Sequence, residues 1–273
     1  MAGRLNSQSF GYQFVQVVLP GSPSVETETL EPPNKSFLME IGVPEDSFVV
    51  LWCGGYNAWT DVTTLFAGLE YAMSRNDKIQ YVSVGANTYQ AKDDVYTQLL
   101  DMIANSSYKD RFHMMGWRPY GEIINYYQNS DIGINIDSLH YETIYGTRTR
   151  IVEMLASSLP VITSQGCELS DLVNNYGAGL LFSSGDWEML GRHILTLVND
   201  KQYHEQVRQK ALDYATSELS FETTTWPVRS WVRNARHAPD KDANNPTRYI
   251  EVLEYKIRAA VRQVLWKVAG LER

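Results

Sequence analysis

Between residues 48 and 217 short apolar runs alternate with segments of helical periodicity, and this alternation most narrows what the chain can fold into. Phe48-Val49-Val50-Leu51-Trp52 has no polar position at every second residue, so it reads as a strand covered on both faces. Asp61 to Ser74 then sets Leu65, Leu69 and Met73 on one helical face. Ile79 to Val84 is a second strand, Asp93 to Asn105 a helix, Arg111 to Met115 a third strand and Tyr120 to Gln128 a short helix. Asp131 to Ile136 follows as the fourth strand, and a helix starts near Arg148. Pro160 to Thr163 and Ala178 to Phe182 add two strands around a short helix at Leu169 to Val173, and Trp187 to Val198 and Gln202 to Ser217 close the unit as helices. The repetition predicts an α/β fold, a Rossmann-like doubly wound parallel sheet of about six strands with its ligand at their carboxyl ends.

Composition removes several alternatives. With 273 residues, 44% of them hydrophobic and 21% charged, the chain has enough apolar material for a full core. Its formal net charge of −8 argues against a general nucleic-acid binder, which needs a basic field. The only two cysteines, Cys53 and Cys167, form no spaced framework, and the five histidines no His-x-x-x-His pair, so neither a disulfide scaffold nor a metal site is expected. No signal segment and no run of eighteen apolar residues is present, which leaves a cytoplasmic protein as the expectation and a membrane surface as a partner without support.

The chemistry concentrates in Ile144-Tyr145-Gly146-Thr147-Arg148-Thr149-Arg150-Ile151-Val152-Glu153, which leads through a helix into Leu159-Pro160-Val161-Ile162. A helix start offers unpaired N–H groups to an anion, so the Gly146 and Thr147 amides with Arg148 and Arg150 form a candidate diphosphate clamp. One turn on, Glu153 is placed to accept hydrogen bonds from sugar hydroxyls. The competing role for Arg150 and Glu153, three apart on a helix, is a surface ion pair contributing about a few tenths of a kcal/mol.

Glu153 with Met154, Ala156 and the Leu159 to Ile162 strand resembles the carboxyl-terminal domain of the group 1 (family four) glycosyltransferases, retaining enzymes of the GT-B fold. The resemblance covers roughly residues 14–240. It implies a donor-binding half of a GT-B enzyme in which Glu153 holds the ribose of a nucleotide diphosphate sugar. Leu51 to Asp61 looks like that family's strand, Gly-Gly loop and Trp-x-Asp turn, which adds Gly54 and Gly55 to the diphosphate site, because a Cβ there would obstruct the phosphates. Asp61 is at the same time a plausible helix N-cap. Gly116-Trp117-Arg118-Pro119 matches the segment that lines the nucleobase pocket, which makes Trp117 and Arg118 the base-side candidates, with a buried core tryptophan as the competing role for Trp117. Gln165 to Leu169 resembles a loop near the donor sugar.

The pattern is also broken in places. Tyr145 stands where many members have a glutamate, eight positions before Glu153, and Glu142, three residues upstream, is the remaining candidate catalytic carboxylate. The loop cations common in the family are absent around Gly55, Tyr56, Trp59 and Thr60, so Arg148 and Arg150 must replace their charge. The resemblance implies hexose transfer with retained configuration, with no cofactor beyond the nucleotide sugar and no metal. Two other classes stay open: a GT-B-like binding or interaction subunit without turnover, and another sugar-nucleotide enzyme of the epimerase or phosphorylase kind.

Three regions follow. Residues 1–45 supply a leading strand at Gln13 to Leu19 and a linker, 46–219 the nucleotide-sugar domain, and 220–273 a helical tail. Val15 to Gly21 resembles the segment that opens the family's carboxyl-terminal domain, and a complete enzyme then needs an amino-terminal acceptor domain, here a missing lobe or a separate chain. The aromatic stretch Phe221 to Trp231 and a basic helical pattern over 247–269 offer surfaces for that lobe or for self-association.

Overall fold

A computed structural model of the protein describes residues 18–22, 36–86, 95–235, 257 and 261. The chain divides at Arg229/Ser230 into two compact units, and the first carries the sheet. A short helix α1 (Ser36–Met39) precedes β1 (Phe48–Cys53), α2 (Val62–Met73), β2 (Ile79–Val84), α3 (Val95–Ala104), β3 (Phe112–Gly116) and α4 (Tyr120–Asn129). After β4 (Ile132–Asn135) come α5 (Tyr141–Tyr145), α6 (Thr149–Ala156), β5 (Val161–Ser164), α7 (Glu168–Tyr176) and β6 (Gly179–Phe182). The helices α8 (Trp187–Asn199), α9 (Lys201–Thr216) and α10 (Phe221–Arg233) end the described elements.

All six strands are parallel and lie in the order β3-β2-β1-β4-β5-β6. Strand order reverses between β1 and β4, so their outgoing loops turn to opposite sides and leave a crevice. The unbroken apolar character of β1 has its cause here. Val49, Leu51 and Cys53 join one buried cluster with α4, α6 and α9, while Val50 and Trp52 join the other with α2 and α8. Burial of each such aliphatic side chain contributes about 1.5–3 kcal/mol, and both faces of the strand collect it.

The predicted cap forms: Asp61 accepts from the Thr64 amide to start α2, and Asp186 and Asp200 cap α8 and α9 through the Met189 and Tyr203 amides. Gly177 ends α7 in the left-handed region at φ 74°. The short helix expected at Leu169 to Val173 extends to Glu168–Tyr176. A correction falls between β4 and α6, where a single loop was expected: residues 141–145 form the extra helix α5, capped by the His140 side chain on the Glu142 amide. Of the leading strand expected at Gln13 to Leu19, only Val18 and Leu19 are described, and they are not in a strand; 13–17 lie outside the described residues, as does all but Ile257 and Val261 of the 247–269 pattern. Ser22 ties the leading segment down, with its amide on Leu219 O at 2.6 Å and its hydroxyl on Ala215 O at 2.8 Å. No helix among the described residues is long and apolar enough to cross a membrane.

Two strand ends approach each other closely at the carboxyl edge. Gly54 and Gly85 follow β1 and β2 with φ of +133° and +124°, and the Gly54 amide donates to Val84 O at 2.8 Å. A Cβ built on Gly85 would fall inside the contact radius of the Gly54 carbonyl. Backbone strain and overpacking coincide there, so Gly85→Ala should lower the unfolding free energy by about 1–3 kcal/mol in a urea titration. An unchanged midpoint would mean that the two loops part without loss.

Candidate functional site in the crevice between β1 and β4

The Gly54-Gly55 turn after β1 faces the segment from Asp137 to Glu153, which leaves β4 and runs through α5 into α6. Two arginines meet there with different fates. Arg148, the residue before the first turn of α6, is buried with its Nε on Asp137 Oδ2 at 2.7 Å, the two side chains being 8% and 3% exposed. Its Nη2 also donates to Glu142 O at 3.2 Å. Asp137, two residues past β4, is held in turn by the Ser164 hydroxyl on its amide at 2.8 Å and by Asn135 Nδ2 on Oδ2 at 3.4 Å. Arg148 is thus spent on matching a buried carboxylate.

Arg150 lies one residue into α6 and is not neutralised in this way. Its guanidinium stacks on the Trp52 ring with Cζ 4.2 Å from the centroid, while Trp52 Nε1 donates to Gly54 O at 2.9 Å. A Cβ on Gly54 would come within 3.0 Å of Arg150 Cζ and Nη2, so the missing side chain at Gly54 is what lets the cation lie across the turn. Nη1 is buried and has no hydrogen-bond partner among the described residues. Burial pushes the guanidinium below its ordinary pKa, Asp137 pulls it back up and Arg148 pushes it down; an arginine side chain stays charged through such shifts. Among the described residues Arg150 forms no ion pair with Glu153. A charged, stacked guanidinium that lies across the glycine turn, with no carboxylate paired to it among the described residues, is suited to bind an oxyanion there.

The expected clamp changes in two parts, since Arg148 is already paired with Asp137. The Gly146 amide is committed to Glu142 O at 2.9 Å, because it closes the last turn of α5, and so it does not face an incoming phosphate. Thr147 is exposed beside it, and the first-turn amides of Thr149 and Arg150 have no carbonyl one turn earlier within α6. Glu142 sits in the first turn of α5 rather than in a loop, and Tyr141 donates its hydroxyl to that carboxylate, which raises the phenol's pKa. Gly166, at φ +144°, presses on Thr143, which brings the loop after β5 against α5.

Glu153 faces α4, where the Tyr127 hydroxyl donates to its Oε2 at 2.9 Å. A groove of about 380 Å³ runs past Glu153, Thr149 and Val152 to Tyr120, Phe221 and Gly21. A wider hollow of about 630 Å³ lies on α2 and α3, away from the strand ends, and its lining Glu70 and Asp101 would repel an anion. Trp117 is 58% exposed on the turn after β3, which removes the core role for that ring, and Arg118 beside it is exposed as well. Among the described residues no three His, Cys, Asp or Glu side chains are placed to hold a metal.

Asp137, Tyr127, Trp52 and Gly85 were not singled out from sequence. Asp137 and Gly85 carried a weak signal, a polar or glycine residue just past a predicted strand. Tyr127 and Trp52 carried none, since each looks like an ordinary core aromatic until its partner is known.

Against this geometry, the family model described as "Glycosyl transferases group 1" matches residues 40–213. No curated protein sequence matches the chain. Among solved structures, Anabaena Alr3699/HepE in complex with UDP-glucose is similar at TM-score 0.63 and 20% identity, over 73% of this chain and 52% of that one. Sucrose-phosphate synthase from Thermosynechococcus elongatus gives TM-score 0.66 and 17% identity, over 85% and 56%. The C-terminal domain of a glycosyl transferase group 1 family protein (LpcC) from Francisella tularensis gives 0.60 and 14%, over 72% and 100%. The chain therefore spans about half the length of the two longer proteins and all of the isolated domain.

The buried ion pair gives a stability test. Asp137→Ala leaves Arg148 charged and unpaired in a dry site, and should destabilise the fold by about 3–5 kcal/mol. Asp137→Ala with Arg148→Met removes both charges and should restore much of that loss. Additive losses in denaturant titrations would show that the two side chains are not coupled.

Proposed function

The chain belongs to the group 1 glycosyltransferases, and on that premise we propose that it is the donor-binding lobe of a retaining hexosyltransferase that uses a nucleotide diphosphate sugar. The observation that carries this reading is the Arg150 guanidinium, stacked on Trp52 with its Nη2 edge against the Gly54 turn and no carboxylate paired to it among the described residues. A pair of phosphates entering the crevice would meet this cation, the amino end of α6 and a glycine turn with no side chain in the way. Sugar transfer builds negative charge on the departing diphosphate as the bond to the anomeric carbon breaks. A donor already in position, in a site from which water is partly excluded, stabilises that charge without first having to reorganise.

The remaining groups take roles around it. Glu153 accepts from the ribose hydroxyls, and Trp117 with Arg118 borders the base. Glu142, one helical turn before Gly146, faces the sugar side. Arg148 contributes indirectly, since its pairing with Asp137 fixes the start of α6. UDP is the first nucleotide to test, because similar structures hold UDP or UDP-glucose. The acceptor is a glycan or related molecule, and a second lobe, on the same chain or another, supplies its site, as befits a chain that spans half of its longer structural neighbours. On this reading the transfer takes place in the cytoplasm and is carried by the protein's own donors without a metal.

The decisive experiment is calorimetric titration with UDP and GDP. Arg150→Ala should weaken binding by about 10- to 100-fold, the range for a charge-assisted contact, and Arg150→Lys should recover only part of it, because lysine lacks the planar fork. Affinity should persist in EDTA. Unchanged binding in Arg150→Ala removes the proposed diphosphate site, and tight binding without transfer when an acceptor lobe is supplied favours a non-catalytic binding subunit.

Isolated chain and sugar transfer form the second test. A GT-B crevice is closed by its other lobe, and without closure water competes for the activated sugar. The chain alone should hydrolyse a nucleotide sugar slowly at most, and a product assay that found robust transfer by it would overturn the two-lobe reading. The exposed rings of Phe221 and Trp226, 65% and 62% accessible, belong to the surface offered to the second lobe.

A further inference from the structure

We propose that Tyr127 is a positioning residue for nucleotide binding: it holds the Glu153 carboxylate in the one orientation from which its free oxygen meets a ribose hydroxyl. This rests on the reading of Glu153 given above.

Tyr127 is on α4 and Glu153 on α6, so the contact between them is made by packing, not by local sequence. The phenol is 4% exposed, and its hydroxyl gives its proton to Glu153 Oε2 at 2.9 Å. Behind it, at the end of β1, Cys53 hydrogen-bonds to the same phenol. The phenol oxygen is thus held between the Cys53 sulfur and the Glu153 carboxylate. Burial raises the pKa of the phenol well above its ordinary value, and the Cys53 and Glu153 neighbours raise it further; burial raises the thiol as well. Both therefore stay protonated at neutral pH, and the phenol keeps its proton on the Glu153 side.

A glutamate on a helix has three side-chain torsions and no reason to prefer one aim. The buried phenol removes that freedom before any ligand arrives, so the ordering is not charged to the binding step. It occupies Oε2 and leaves Oε1 without a hydrogen-bond partner among the described residues. The hollow beside it, about 150 Å³, is bounded by Tyr127, Glu153, Ile124 and Tyr120, and its apolar walls discourage other water-borne donors from competing for the carboxylate. Chain of contact and free oxygen together make Glu153 a preset acceptor.

The test compares UDP with 2′,3′-dideoxy-UDP by calorimetry on the full chain. The parent should prefer UDP, and Glu153→Gln should lose most of that preference. Tyr127→Phe keeps the ring and its packing, and should weaken UDP roughly tenfold, the size expected for losing orientation of a charged acceptor, while binding dideoxy-UDP as the parent does. A merely structural tyrosine would move both ligands alike. If the parent does not distinguish the two nucleotides, the ribose role of Glu153 fails. If Glu153→Gln loses the preference and Tyr127→Phe keeps it, that role stands and the positioning role of Tyr127 is overturned. Equal melting temperatures of parent and Tyr127→Phe without ligand confirm that the comparison is between folded proteins.

Discussion

The Arg148–Asp137 ion pair is the interaction on which the site depends. A carboxylate and a guanidinium taken almost wholly out of water cost several kcal/mol each in lost hydration, and only a short contact with further hydrogen bonds offsets that. Both conditions hold: the pair is 2.7 Å apart, Asn135 adds a donor to Asp137, and Arg148 reaches the Glu142 carbonyl. One end of the pair is anchored just past β4 and the other at the residue that precedes α6, so the pair sets where that helix begins. Every group that α6 presents inherits its position from this.

Arg150 and Glu153 are the groups that inherit it. From a start fixed at Arg148, the next side chains in register place a guanidinium over Gly54 and, three residues later, a carboxylate against Tyr127. Two arginines of the same chemistry, two residues apart, thereby divide the work. The first is neutralised in the interior and gives geometry; the second keeps an unpartnered buried nitrogen and gives charge. The glycine turn itself is followed by Tyr56 and Trp59 and not by cations, and the positive charge over it comes from the facing helix.

Much of this was legible beforehand. Six short apolar runs became six parallel strands, and the unbroken apolar run of β1 follows from helices covering both of its faces, which leaves no wet side for polar residues. The stretch around Arg148, Arg150 and Glu153 was recognisable as a helix start, and α6 begins there at Thr149. Helix α5 was missed since residues 141–145 are too few to display a period, and the His140 cap that starts it is set by a side-chain conformation rather than by a pattern. Its formation is what takes the Gly146 amide out of the clamp.

What the sequence determined by itself was the order of elements, the two-sided burial of the strands and the presence of two cations and one carboxylate on a helix that follows a strand. Periodicity and local chemistry carry these, because they depend on neighbours a few residues apart. Which arginine is free, and what holds Glu153, depended on residues far away in the chain: Asp137 is 11 positions from Arg148, and Tyr127 is 26 from Glu153. Those partners meet only when β4, α4 and α6 pack together. The desolvation that makes an ion pair worth forming, or leaves a guanidinium without a partner, exists only in the assembled interior, so tertiary structure alone decided it.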